Sequence, residues 1–450
     1  MPSVYIKTYG CQMNERDSEA LAARLLARGY TLASSEADAD VILLNTCSVR
    51  DHAEQTALNK MAALVAENRR RRQPALLGFL GCMAQRRGQA LLDGLPDVDL
   101  VLGTHQLHRA DVYLQELLAG QRERVVDVSK EPTAATVLRE HLGSGNGPRA
   151  VTAYVSIMQG CNQRCAFCIV PTTRGPERSR SPDDILDECR QLVADGVKEI
   201  TLLGQIVTSY GRGQIPRRDG KSAFVQLLEA IHALDGLERI RFTAPHPKGY
   251  GEDLIAAYGR LPKLAEHAHI PVQSGSDRVL RLMRRGYTRA RFLELAHKLR
   301  AVQPRLGLTT DLIVGFPGET EADFEDTLSL CREACFDNAF IFKYSPREGT
   351  PAATMPGALP RPVIEERHAR ALALVDTLAR RNYEALIGQQ VQVLVEGPSK
   401  KNPARLMGRT RCGKIVVFEG PAALRGRLVD VWVRRAGSFT LYGEPVATPA

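Results

Sequence analysis

At 450 residues, with 44% hydrophobic and 25% charged side chains, the chain is too long for one ordinary core and is expected to divide into two to four domains. No apolar run approaches the roughly 20 residues that a membrane helix needs, and the opening "MPSVYIKTYG" goes straight into a strand pattern, so neither a membrane span nor a secretion signal is expected. In the cytoplasmic location this implies, ten cysteines suggest metal or redox chemistry more than cross-links, while the net charge of +9 is a weak pointer to a polyanionic partner.

From residue 1 to about 125, "SVYIKTYG", "DVILLNTC", "ALLGFLGC" and "VDLVLG" read as strands, and stretches such as "SEALAARLLARGY" between them as helices. This alternation predicts βαβ units and an open parallel α/β sheet domain over 1–125. Cys11, Cys47 and Cys82 each close one of the apolar runs, at spacings of 36 and 35 residues, about one βα unit apiece. In an open parallel sheet, ligands collect beyond the carboxyl ends of the strands, so cysteines distant in sequence can converge there. Singly, each would be a buried structural cysteine. Repeated three times at one structural phase, they are expected to form a three-cysteine metal cluster. The composition of "GSGNGP" marks 126–150 as a linker.

Over 151–382, six strand patterns recur about every 35 residues: "VTAYVSIM", "EITLLGQ", "RIRFTA", "AHIPVQ", "LGLTTDLIVGF" and "NAFIFKYSP". Helical patterns separate most of them, which predicts a partial (β/α)6 barrel rather than a closed eight-stranded one, trailed by one long helix over about Val363–Leu386. Immediately after the first strand, "GCNQRCAFC" places Cys161, Cys165 and Cys168 on one tight loop. Three thiolates there can hold three corners of an iron–sulfur cluster and leave one iron open to substrate. Zinc would want a closed four-ligand site, and neither the loop nor its immediate flanks supplies a fourth Cys or His. Cys189, Cys331 and Cys335 fall in helical patterns and Cys412 lies between two basic strands, so these four are read as packing. "DGKS", Asp219 to Ser222, looks like the end of a P-loop, but Ile215 stands where the first glycine must be, and ATP use is not indicated.

The segment 383–446 turns to period-two strands, "QVQVLV", "KIVVFEG", "RLVDVWVRR" and "SFTLYGE", which predict a small all-β barrel. From Glu384 to Ala450 there are ten Lys/Arg against five Asp/Glu. Lys400, Lys401, Arg405, Arg409, Arg411 and Lys414 are the candidate phosphate-tracking cations, with Trp432, Phe418, Phe439 and Tyr442 as the few aromatics. Arg69 to Arg72 close a helix beside Pro74, where cations are favoured in any case, so RNA contact and a plain helix end both remain open.

Several stretches together resemble the radical-SAM methylthiotransferases: "TYGCQMNERDSE", "NTCSVRDHAEQ", "GFLGCMAQR", "GCNQRCAFCIVPTTRGPERSR", "PVQSGSDRVLRLMRRGYT" and "DLIVGFPGET". The likeness spans the whole length, as an N-terminal three-cysteine domain, a radical-SAM partial barrel and a TRAM module. "YSPREGTPAA" and "VEGPSKKNP" look most like the MiaB subgroup, which acts on N6-isopentenyladenosine in tRNA. The resemblance implies two 4Fe-4S clusters, on Cys161, Cys165 and Cys168 and on Cys11, Cys47 and Cys82. It also implies S-adenosylmethionine as radical source and methyl donor, and insertion of sulfur and a methyl group at carbon 2 of the adenosine beside the anticodon. Together with the strand-end geometry it nominates Phe167, Gly204, Gln205, Gln273, Ser274 and Gly315 for the S-adenosylmethionine pocket. Arg174, Arg178 and Arg180 of "TTRGPERSR" could pair a carboxylate or phosphate, or lie on a solvated loop. The implied partners are a tRNA anticodon stem-loop, an electron donor such as flavodoxin or ferredoxin, and a sulfur donor or cluster-assembly system, with the protein acting as a monomer. Where the family pattern suggests "LLGQNVNSY", this chain has Ile206 and Thr208 in place of asparagines, which puts the identity of the base in question. Threonylcarbamoyl-adenosine, a ribosomal-protein aspartate, and a non-catalytic iron–sulfur RNA-binding protein are the alternatives.

Overall fold

The unbroken apolar run Val41–Leu44 continues into Asn45 and Thr46 with every position buried, as a strand covered on both faces requires. In the computed structural model, which describes residues 1–48, 51–130, 137–143 and 150–446, it is the third strand of a six-stranded sheet. The strands are β1 (Ser3–Tyr9), β2 (Thr31–Leu32), β3 (Val41–Thr46), β4 (Leu76–Gly81), β5 (Leu100–Leu102) and β6 (Val125–Asp127). Their order is β2-β1-β3-β4-β5-β6, and every pairing is parallel. Val41 and Leu43 pack on one face with Leu21 and Leu25 of the helix Gln12–Ala27, whereas Ile42 and Leu44 pack on the other with Met61 and Leu64 of the helix Asp51–Asn68. The chain reverses its direction of growth between β1 and β3, so the crevice of this doubly wound sheet opens there.

Two of these strands differ from the sequence expectation. β2 has two residues, both exposed, too little for a pattern. β6 takes the first residues of the expected linker into the sheet, because Val125 fills the apolar layer beside Leu100 and Leu102. Residues 144–148 of the glycine-rich linker stretch lie outside the described residues.

All six expected strands of the central region form: β7 (Thr152–Ser156), then β10 (Glu199–Leu203), β11 (Arg239–Phe242), β12 (His267–His269), β13 (Gly307–Val314) and β14 (Asn338–Lys343). A short antiparallel ladder, β8 (Met158–Gln159) with β9 (Arg178–Ser179), interrupts the series after β7. The six strands form two parallel three-stranded sheets, β7-β10-β11 and β12-β13-β14. Ile240 joins them, donating to the Lys263 carbonyl at 2.8 Å and accepting from the Ala265 N–H at 2.9 Å. One continuous apolar core lies between these strands and their helices, and the long helix Arg361–Glu384 follows.

The C-terminal module is a closed barrel, β15 (Gln390–Pro398), β16 (Leu406–Thr410), β17 (Ile415–Phe418), β18 (Leu428–Ala436) and β19 (Thr440–Pro445), in the order β15-β16-β17-β19-β18. β16 was not expected from the sequence. Its buried positions are Leu406, Gly408 and Thr410, so the inward face carries no apolar alternation. Gly408 is required there, since a Cβ would sit 2.1 Å from the Leu394 carbonyl oxygen.

The β16–β17 turn plugs the amino end of the central barrel. Arg239 donates to the Arg409 carbonyl at 2.6 Å, and Arg241 to the carbonyls of Thr410 and Arg411 at 2.7 and 3.2 Å. Lys414 pairs with Asp337 at 2.5 Å with both side chains largely buried. Lys414→Met should therefore strand Asp337 without its partner and lower stability by about 3–5 kcal/mol. In denaturant titrations, adding Asp337→Asn to that variant should recover much of the loss.

Candidate functional site

The loop after β8 is shaped by its own backbone. Gly160 has φ +78°, and a Cβ there would lie 1.9 Å from the Pro176 carbonyl oxygen, so only glycine closes this turn. The Cys161 N–H donates to the Gly175 carbonyl at 3.0 Å, the Ala166 N–H to Met283 at 3.0 Å, and the Ala352 N–H to Ala166 at 2.9 Å. Phe167 packs on the apolar patch of Val279, Met283 and Phe316 that anchors the loop. Cys161, Cys165 and Cys168 are thus fixed beyond the carboxyl end of β7. Burial pushes the thiol of Cys161 up to about 11 and that of Cys168 up to about 12. The buried Arg285 donates to Cys165 Sγ at 3.3 Å, and the Gln163 N–H to Cys161 Sγ at 3.4 Å. A pocket of sulfur donors whose thiolates are costly when bare fits a metal cluster, which deprotonates its ligands outright.

The second set lies at the mouth of the N-terminal sheet. Tyr9, Thr46 and Gly81 stand in one register row. Cys47 and Cys82 are the next residues, and Cys11 is one further on, so Cys11 and Cys47 flank the reversal between β1 and β3. The Cys47 N–H donates to the Tyr9 carbonyl at 2.9 Å. Cys11 caps the helix Gln12–Ala27, where the positive helix end favours a thiolate. A hydrogen bond with the Cys47 side chain is the main cause that brings the Cys11 thiol down to about 6, against its burial and with help from Arg174. Burial raises Cys82, and Arg174 opposes it. The polar pair that ends β3 also has a part here. Asn45 donates to the Asn14 carbonyl at 3.0 Å and to Ser18 Oγ at 2.9 Å, and accepts from Asn14 Nδ2 at 3.0 Å, which fixes the first turn of the helix behind Cys11. Among the described residues no three His, Cys, Asp or Glu side chains converge on a single metal ion. A four-iron cluster takes each thiolate on a different iron and does not ask for that convergence.

Arg174 joins the two sets. It lies six residues after Cys168, at the end of the helix Val170–Arg174, and reaches into the N-terminal domain to pair with Asp17 at 2.7 Å, both side chains being buried. Burial works against its charge, yet Asp17 and the thiols of Cys82 and Cys11 hold it protonated more firmly than usual. Its Nη1 is buried without a partner among the described residues. Arg178 and Arg180 are buried too: Arg178 donates to Gln159 Oε1 at 2.8 Å, and Arg180 pairs with Glu188 at 2.5 Å. Of the two readings of this stretch, pairing with a carboxylate holds for Arg174 and Arg180, and the alternative of a solvated basic loop does not.

The nominated pocket residues lie beyond the ends of β10, β12 and β13, on the same side as the Cys161 loop. Gly204 admits no Cβ, which would be 2.6 Å from Met158 Cγ, and Gln205 has its Oε1 buried without a partner among the described residues. Gln273 adopts φ +73°, an uncommon conformation for a side-chain-bearing residue, locked by its N–H to the Asp311 carbonyl at 2.8 Å. Ser274 turns inward, its hydroxyl 3.3 Å from Thr327 Oγ1. The Gly315 N–H donates to Glu319 Oε1 at 3.0 Å. Ser274 and Gly315 therefore shape this end of the barrel without offering free polar atoms. Ile206 and Thr208 are both buried, and Thr208 Oγ1 accepts from the His246 N–H at 3.3 Å.

The six candidate RNA-binding cations divide three ways. Lys400 and Lys401 are exposed, with no ion pair among the described residues. Arg405 pairs with Glu419 at 3.0 Å and Arg409 with Glu396 at 2.9 Å on the module's own surface. Arg411 pairs with Glu266 at 2.8 Å and Lys414 with Asp337, so these two fasten the plug and do not face outward. A cavity of about 440 Å³ beside the plug is lined by Arg300, Cys335, Asp337, Asn382, Cys412 and Lys414; it includes none of the six candidate cluster cysteines. Cys189 and Cys331 are buried packing residues as expected, whereas Cys335 is exposed, with φ +48° at the end of the helix Glu321–Ala334. Sequence reasoning missed His246 and Arg285; Arg285 lies within "RLMRRGYT", but only the fold brings it to Cys165.

Comparison with known proteins agrees with this three-part layout. Residues 3–103 match the uncharacterized protein family UPF0004, 155–331 the radical SAM superfamily, and 384–446 the TRAM domain. A tRNA-2-methylthio-N(6)-dimethylallyladenosine synthase of Opitutus terrae is 51% identical over 99% of this chain and 97% of its own length. A protein of the same name from Akkermansia muciniphila is 48% identical over 99% of each chain. Among solved structures, the radical S-adenosylmethionine methyltransferase TsrM of Kitasatospora setae superposes with a TM-score of 0.58 at 12% identity, covering 78% of this chain and 77% of that one. At that identity the likeness is one of fold.

Proposed function

Since the chain belongs to the tRNA-2-methylthio-N(6)-dimethylallyladenosine synthase family of radical-SAM enzymes, we propose that it inserts sulfur and a methyl group at carbon 2 of N6-isopentenyladenosine next to the tRNA anticodon. Its cofactors are S-adenosylmethionine and 4Fe-4S clusters. Cys161, Cys165 and Cys168 would hold one cluster and Cys11, Cys47 and Cys82 the other. Bound there, these groups supply the one-electron and sulfur chemistry for a carbon that no acid–base pair of side chains could deprotonate at neutral pH. The chain's own residues link the two sets of thiols through Arg174, bury Cys47, Cys82, Cys161 and Cys165 and half-bury Cys11 and Cys168, and offer Gln205 and the strand ends around it to S-adenosylmethionine.

The observation that carries this reading is Arg174, which starts on the loop of one cysteine set and ends against the thiols of the other. The TRAM match and the exposed Lys400 and Lys401 favour RNA over a ribosomal-protein aspartate. No helix among the described residues is long and apolar enough to cross a membrane, and a cytoplasmic monomer served by a flavodoxin- or ferredoxin-type electron donor and a separate sulfur donor completes the proposal.

Mass spectrometry of tRNA nucleosides from a deletion strain should show the methylthio nucleoside lost and its isopentenyl precursor accumulated; unchanged levels would sink the reading. Cys47→Ala should lower bound iron by about one cluster, abolish the methylthio product, and leave reductive cleavage of S-adenosylmethionine intact. Unchanged iron would mean that Cys47 is not a ligand.

A further inference from the structure

His246 follows β11 in the run "TAPHPKGY" and is only 6% exposed. Its Nδ1 accepts the Lys248 backbone N–H at 3.2 Å, which leaves the proton of the neutral ring on Nε2. That Nε2–H is buried and has no acceptor among the described residues. Buried donors in native proteins are nearly always satisfied, so a polar group supplied from outside the chain is the natural partner.

The surroundings fix the ring without satisfying it. The His246 backbone N–H donates to Thr208 Oγ1 at 3.3 Å, and Thr208 sits so close beneath the Pro247–Gly249 turn that a Cβ on Gly249 would be 2.2 Å from its hydroxyl. Tyr287 meets the imidazole edge-to-face, with centroids 5.5 Å apart. The Tyr287 hydroxyl accepts from Arg285 Nε at 3.0 Å and donates to the Val272 carbonyl at 2.8 Å, and the same Arg285 reaches Cys165 Sγ. His246 is therefore tied through two side chains to a ligand of the barrel cluster. β10 and β11 are paired neighbours, with Leu202 opposite Phe242. Gln205 comes three residues after the first and His246 four after the second. One end of this sheet thus carries an unpartnered buried donor and an unpartnered buried acceptor, Gln205 Oε1. Burial, then the charges of Arg285, Lys248 and Arg212, bring His246 down to about 3, so it stays a neutral donor under ordinary conditions.

We propose that His246 Nε2–H is a nucleoside-binding donor, held by Thr208 and Tyr287 to hydrogen-bond an acceptor atom of an adenosine bound beside the Cys161 loop. An adenine presents ring-nitrogen acceptors next to an amino donor, which matches the pair formed by His246 and Gln205. This rests on the function proposed above, in which two adenosines enter the crevice, that of S-adenosylmethionine and that of the RNA.

Two substitutions separate the donor from the fold. His246→Asn keeps an acceptor near Nδ1 for the Lys248 N–H and loses the far donor, whereas His246→Gln restores an N–H near Nε2. With cluster-reconstituted protein, the dissociation constant for S-adenosylmethionine is measured by equilibrium dialysis, and that for an isopentenylated anticodon stem-loop by filter binding. His246→Asn is expected to weaken one of them about tenfold, the scale of one buried hydrogen bond, and His246→Gln to recover most of it. A change in the first constant assigns the donor to S-adenosylmethionine, and a change in the second alone assigns it to the RNA. The proposal is overturned if both variants bind both ligands like the unaltered protein, or if both are weakened equally, as a purely structural role would have it. If the unaltered protein binds S-adenosylmethionine but modifies no RNA, the functional reading fails while the dialysis comparison still decides the role of His246.

Discussion

Replacing Cys161 by alanine is expected to abolish reductive cleavage of S-adenosylmethionine, remove iron equivalent to about one cluster, and leave the fold in place. The loop is held by backbone bonds from Cys161 to Gly175, Ala166 to Met283 and Ala352 to Ala166, none of which involves the thiol. Losing the sulfur therefore costs a ligand and little packing. The remaining thiols of Cys165 and Cys168 cannot complete a three-point attachment, and no fourth cysteine or histidine stands in the loop or its flanks to replace the missing one. Gly160→Ala makes the contrast. Its Cβ would fall 1.9 Å from the Pro176 carbonyl oxygen at a φ of +78°, so the β8–β9 ladder would have to move, and activity and stability should fall together. Iron analysis, thermal unfolding and a cleavage assay on the two variants separate ligand loss from loop loss. A Cys161→Ala protein that keeps its full iron and its cleavage activity would show that the loop is not a cluster site.

Much of this site could be read from the chain because its chemistry is written in short intervals. Cys161, Cys165 and Cys168 announce themselves by spacing, and Cys11, Cys47 and Cys82 by ending apolar runs at nearly equal steps. A parallel sheet turns those steps into one row, because Tyr9, Thr46 and Gly81 share a register. Arg174, Arg178 and Arg180 were visible as a basic run, but their burial was not, since it depends on Asp17, Gln159 and Glu188 arriving from other elements. The same limit misplaced Arg411 and Lys414. Basic residues on a small barrel look alike in sequence, and only the docking of the β16–β17 turn against Glu266 and Asp337 tells a clamp from an outward-facing cation. β16 was hidden for a third reason. Of its three inward positions only Leu406 is a large apolar residue; Gly408 is there for close backbone approach and Thr410 is polar, so the period-two signal is absent.

Arg174→Gln should have the largest combined effect on stability and chemistry of any single change outside the cysteines. It leaves the Asp17 carboxylate buried without its cation, a loss of about 3–5 kcal/mol for a buried pair broken on one side, and it frees the loop after Cys168 from the N-terminal domain. It also withdraws the positive charge beside the Cys11 and Cys82 thiols, whose thiolate forms it favours. The two consequences can be separated by adding Asp17→Asn. The double variant removes the stranded carboxylate and should regain most of the unfolding midpoint, since a neutral amide pair can share a hydrogen bond where the ions stood. It should not regain iron in the second cysteine set or the methylthio product, because no cation then faces the thiols. Recovery of stability, iron and product together would reduce Arg174 to a clamp between domains. Recovery of stability alone would make it the residue through which the barrel conditions the cluster of the neighbouring sheet, and would explain why an arginine six residues beyond Cys168 is buried against a site that Cys168 does not belong to.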